Sequence, residues 1–135
     1  MRTNRKHYVI SAGTDFQFAE AVNRARNLLQ EAGYGVLCEI DMKAKLEEKM
    51  GVERDPYVIL GACNPPLASE ALDAEPELGA LLPCNVVVYE REGRTRVAAV
   101  DPELMLAIVG NEELDPIAQR VREDLGRVIE EIAKG

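Results

Sequence analysis

The chain has 135 residues, 47% apolar and 30% charged, a size and balance that suit one hydrophobic core and exclude a disordered chain. Sixteen Lys and Arg against 24 Asp and Glu leave a net charge of −8 and a pI near 4.7. That is the wrong sign for a phosphate backbone, so nucleic acid is not an expected partner.

The segment from Met1 to Ser11 carries Arg2, Arg5 and Lys6 but no apolar stretch of signal-peptide length. The longest apolar run, Tyr57 to Cys63, falls far short of the roughly 18 residues of a membrane span. A cytoplasmic protein without a membrane partner is expected. Its three cysteines, an odd count, argue for reduced thiols over a disulfide framework.

In chain order, Tyr8-Val-Ile10 reads as a short strand, and Thr14-Asp-Phe-Gln17 fits a capping box. Phe18, Ala21, Val22, Ala25, Leu28, Leu29 and Ala32 then form one apolar stripe of a helix, which Gly33 ends as a left-handed cap. From Val36 the sequence alternates, with Val36, Cys38 and Ile40 on one face and Leu37, Glu39 and Asp41 on the other, as in a half-buried strand. Asp41 can cap a short helix bearing Met42, Leu46 and Met50 and ending at Gly51.

The continuous apolar run Tyr57 to Cys63 suits a central strand. Asn64-Pro65-Pro66 starts a helix over Leu67 to Leu72, and Asp73 to Pro83 reads as a loop. Cys84 to Glu90 is β-branched, and the turn through Arg91 to Arg94 returns the chain as a hairpin over Thr95 to Val100. Asp101-Pro102 and Asp115-Pro116 start two closing helices, the first short and carrying Leu104, Met105 and Ile108. The second carries Ile117, Val121, Leu125, Val128 and Ile132 along one stripe. The order βαβαβαββαα, in one domain over residues 1–135, predicts an α+β fold: a mixed or mainly antiparallel sheet of about five strands with helices packed on it.

The internal echo is Cys-Asn: Cys63-Asn64 leaves one strand and Cys84-Asn85 enters the next. If the strands are antiparallel neighbours, both thiols share one end of the sheet. If they are parallel, a strand length of about 20 Å separates them. A Cys63 lying before a helix N-terminus is favoured as thiolate, and a second thiol beside it suits disulfide exchange, sulfur transfer or a soft ligand. Asn64 and Asn85 supply amide groups to orient that ligand.

Plainer roles stand beside these. Cysteine packs as a small hydrophobe, the expected role of Cys38, and Asn before Pro caps a helix. Glu39 shares a strand face with Asp41 and can line a cleft, although Asp41 serves equally as a helix cap. Lys49 and Lys45, four apart, can face an anionic ligand or simply solvate their helix. No zinc-type spacing or glycine-rich phosphate loop occurs, and His7 is the single His, so no cofactor is expected.

The stretches Glu39-Ile-Asp41, Tyr57 to Pro65, Leu82 to Tyr89 and Asp101-Pro102 resemble the bacterial and archaeal domain-of-unknown-function family 302, over nearly the whole chain. The resemblance implies a small α+β domain that forms homodimers, and no settled activity. Two functions follow as expectations. One is a thiol-lined small-molecule or sulfur/redox site with Cys63 and Cys84 as candidate catalytic residues. The other is a non-catalytic dimeric binding module in which the cysteines are core residues.

Overall fold

The computed structural model describes residues 8–134; His7 lies outside them. Ten principal elements follow the predicted order. They are β1 (Val9–Thr14), α1 (Phe18–Glu31), β2 (Gly35–Asp41), α2 (Met42–Met50), β3 (Tyr57–Cys63), α3 (Pro65–Ala74), β4 (Cys84–Arg91), β5 (Arg94–Val100), α4 (Pro102–Ala107) and α5 (Asp115–Ala133). Short 3-10 turns at Pro76–Leu81 and Glu112–Leu114 complete the chain. Every pairing in the five-stranded sheet is antiparallel, in the order β1-β5-β4-β3-β2.

The period of two along each strand divides the sheet into unlike faces. Val58, Leu60 and Ala62 of β3, Val86 and Val88 of β4, and Val97 and Ala99 of β5 are buried in the core with Ala21, Ala25 and Leu29 of α1. The whole predicted stripe of α5, from Ile117 to Ile132, is buried with them. Burying a branched aliphatic side chain contributes about 1.5–3 kcal/mol, so this stripe fixes α5 on the sheet. The opposite face presents Tyr57 and Ile59, Val87 and Tyr89, Arg96 and Ala98. Among the described residues no helical layer covers that face; α2 only flanks it, against β3.

Several local expectations are corrected. Thr14 remains in the sheet opposite Thr95, so the capping box does not form; α1 begins at Phe18 with Gln17 as an N-cap that makes no side-chain bond. Instead Thr14 Oγ1 accepts from Phe16 N (3.3 Å) and donates to the Ile132 carbonyl (3.1 Å). Asp115 does not cap α5, because the turn Glu112–Leu114 runs straight into the helix and the capping oxygen belongs to Asn111, which accepts from Glu113 N. In α4 Pro102 and Leu106 are buried and Met105 packs partly buried against the core, whereas Leu104 and Ile108 are exposed. Met50 also points to solvent, and the segment read as a loop after α3 contains the turn Pro76–Leu81.

Cys38 is exposed rather than packed as a core residue. Its register partner is Gly61, on the face that carries no helices. A Cβ on Gly61 would lie 2.7 Å from Cys38 Sγ and 2.8 Å from Pro83 Cγ. Only glycine admits both neighbours so close to the backbone.

Candidate functional site: a thiol-lined cavity at the end of the sheet

The antiparallel pairing of β3 and β4 sets Ala62 opposite Cys84. Cys63, the next residue, therefore ends β3 at the same end of the sheet where Cys84 begins β4. Asn64 turns the chain into α3: its Oδ1 accepts from Leu67 N at 3.2 Å, and Pro65 and Pro66 occupy the first turn, where no amide is needed. The sequence thus places a strand end, a cap and a helix start at one corner. Cys63 and Cys84 both line a cavity of about 40 Å³ there, with Tyr34, Asn64, Leu78 and Leu106 among its walls. Such a space admits about three water-sized groups.

The two sulfurs differ in setting. Cys84 is 8% exposed, whereas Cys63 is half-buried. Burial pushes the Cys84 thiol up to about 11, and the neighbouring Cys63 adds to the rise. Cys84 is accordingly a neutral thiol at neutral pH, and any exchange chemistry at this corner begins at the more accessible Cys63.

Tyr34 forms the inner wall and is absent from the sequence-level candidates. Its phenol donates to Asp124 Oδ2 at 2.8 Å, and burial followed by this bond raises its pKa. Asp124, 4% exposed, also accepts from Arg120 (3.1 Å) and Arg127 (2.8 Å). The signal for it was present: Asp124 falls between Val121 and Val128 on the apolar stripe of α5, where a lone carboxylate requires partners.

The remaining sequence candidates lie elsewhere. Asn85 is exposed opposite Gly61, on the uncovered face, and is not part of the cavity wall. Glu39 accepts two 2.7 Å bonds from Arg26 of α1, so its carboxylate braces β2 against that helix. Asp41 caps α2 by accepting from Ala44 N at 2.9 Å. Lys49 is exposed on α2 and away from both cysteines. Among the described residues no three His, Cys, Asp or Glu side chains converge as metal ligands, and no helix is long and apolar enough to cross a membrane.

A five-stranded antiparallel sheet, helical on one face and bearing a cysteine at each of two paired strand ends, defines a two-layer α+β domain. The chain belongs to the family described as Domain of unknown function DUF302, whose pattern matches residues 10–132. It is similar to the crystal structure of an uncharacterized conserved DUF302 protein from Bacillus stearothermophilus. The TM-score is 0.88 at 27% identity, over 96% of this chain and 100% of that one. No curated protein matches the chain.

Proposed function

We propose that the corner formed by Cys63, Asn64 and Cys84 is a thiol-lined site for a small, soft ligand or a sulfur or redox equivalent. The observation that carries this reading is the shared cavity: two cysteines 21 positions apart meet one apolar space of about 40 Å³. Its size favours a group of a few atoms, and its walls favour a polarisable one over a strongly hydrated ion. The reading places the protein in the reducing cytoplasm, where both thiols stay available.

The test uses Cys38→Ser protein and oxidised glutathione, which supplies the oxidant. The Cys63 thiolate attacks the glutathione disulfide and releases one glutathione thiolate; the Cys84 thiol, losing its proton, then displaces the second glutathione. Mass spectrometry is expected to show a glutathione adduct on Cys63 or a Cys63–Cys84 disulfide. Absence of both products, with slow alkylation of Cys63 at every pH, would sink the proposal.

A second reading, the homodimeric module, is favoured by the edge strand β2, where Leu37 is 66% and Ile40 38% exposed. An apolar edge of this kind is ordinarily covered, here by a second copy. Light scattering is expected to give twice the chain mass, reduced to the monomer by Leu37→Lys; a monomeric wild type would refute it.

A further inference from the structure

A second groove, of about 660 Å³, runs between α2 and the uncovered face of β3 and β4. Its volume lies within the range of small-molecule sites, roughly 300–1,000 Å³. Met42 and Leu46 of α2 form one wall, Tyr57, Ile59 and Tyr89 the other, and Arg54 and Arg91 line it as well. Tyr57 and Tyr89 are register partners whose rings stack with centroids 5.4 Å apart and planes inclined by 23°. A stacked pair offers its outer face to a third ring.

The distribution of arginine charge is uneven. On the helical layer, Arg26, Arg120, Arg122 and Arg127 each pair with a carboxylate, and Arg24 donates to the Glu131 carbonyl and stacks on Phe16. Among the described residues, Arg54, Arg91, Arg94 and Arg96 form no salt bridge, and Arg96 reaches only Ser11 Oγ, at 3.3 Å. Arg91 stands directly opposite Arg94, and Arg96 opposite Tyr89. Like charges facing each other across a ladder are destabilising, and this pair persists on a protein whose net charge is −8.

The acids of the groove do not neutralise this cluster. Glu47 is taken by Lys43. Glu90 lies opposite the buried Thr95, in phase with the core-facing Val88, so its side chain belongs to the other face. Asp55 and Glu90 are the acidic residues that line the groove with Arg54 and Arg91; the register turns the Glu90 side chain away, and among the described residues Asp55 forms no salt bridge with either arginine.

We propose that this groove binds a planar aromatic anion, with its ring against Tyr57 and Tyr89 and its acid group held by Arg54 and Arg91. Guanidinium groups suit carboxylate, phosphate or sulfonate oxygens through paired N–H donors. The site is separate from the thiol cavity, and no lining residue is common to the two.

Amide NMR titration of the full chain with 1-naphthyl phosphate, inorganic phosphate and 1-naphthol tests this. The naphthyl phosphate is expected to saturate with shifts at Tyr57, Ile59, Tyr89 and α2, while each half-molecule binds at least about tenfold more weakly. Arg54→Gln/Arg91→Gln, two exposed substitutions, is expected to weaken naphthyl phosphate by about tenfold or more and to leave 1-naphthol unchanged. Absence of saturation, equal affinity in the double variant, or shifts confined to the thiol cavity would each overturn the proposal.

Discussion

Tyr34, at the entry to β2, donates its phenol proton to Asp124 of α5 across 90 positions of sequence, at 2.8 Å. Both residues are nearly inaccessible, so the bond ties the sheet to its longest helix where water cannot substitute for either partner. Tyr34→Phe removes one neutral donor to a buried carboxylate and is expected to cost about 1–2 kcal/mol in urea unfolding. Asp124→Ala strands the phenol as well and is expected to cost more, about 3 kcal/mol.

Alkaline pH acts on the same region. The Cys84 pKa is raised from 9.0 to about 11 in the folded protein, and that of Tyr34 is raised from 10.0. A raised pKa means that the folded state holds its proton more tightly than the unfolded chain. The resulting stability is complete below pH 9 and is lost as pH climbs from 9 toward 11. Urea midpoints measured across that interval should fall, and Cys84→Ala should flatten the first part of the decline. Iodoacetamide at neutral pH should label Cys38 readily and leave Cys84 untouched unless the protein unfolds.

Gly61→Ala tests the close approach of Cys38 and Pro83. The added methyl meets a sulfur at 2.7 Å and a proline ring at 2.8 Å, and the expected loss is about 1–3 kcal/mol. Cys38→Ala in the same chain should recover part of that loss, and a double-mutant cycle would measure the coupling. Additive effects would show that Pro83 alone sets the limit.

The β4–β5 hairpin turns through Glu92 and Gly93, with φ of 55° and 75°. Positive φ at both central residues marks the turn that favours Asn-Gly. Glu92→Asn is expected to stabilise by about 0.5 kcal/mol, raising Tm by roughly 2 °C. An unchanged or lower Tm would refute this.

The Arg26–Glu39 pair is more than a third exposed on both sides, so Glu39→Gln is expected to cost less than about 1 kcal/mol. The Arg26 hydrogen bond holds the Glu39 carboxyl below its ordinary 4.5. This contribution is present above that value and is lost on acidification, so the two proteins should converge in stability at low pH.

The sequence was most legible where period and burial agree. The α5 stripe and the strand Tyr57–Cys63 match their predicted positions because continuous or strictly periodic apolar runs leave one arrangement. The meeting of Cys63 and Cys84 was legible only as a choice between two topologies, since strand direction depends on long-range pairing that local residues do not encode. Cys38 was misread because a register shift between Val36 and Cys38 breaks the alternation: Val36 stands opposite core-facing Ala62, whereas Cys38 stands opposite Gly61 on the uncovered face. Thr14 and Asp115 carried sound capping chemistry but were overruled by a sheet register and by a preceding 3-10 turn. Tyr34 was hidden because its partner lies on another element, although Asp124 on an apolar stripe advertised the need for one.

The two strands joined by α1 lie at opposite margins of the sheet, with β1 completed by β5 and β2 by β3. During synthesis, β1 emerges first and has no partner until the chain has grown past Val100. The β3–β4–β5 meander can assemble from nearby sequence, whereas docking of β1 closes a loop of some 80 residues and belongs late in folding. A ribosome-bound chain halted before β5 would therefore carry a bare N-terminal strand, an opening for chaperone capture or misassembly that the finished protein no longer offers.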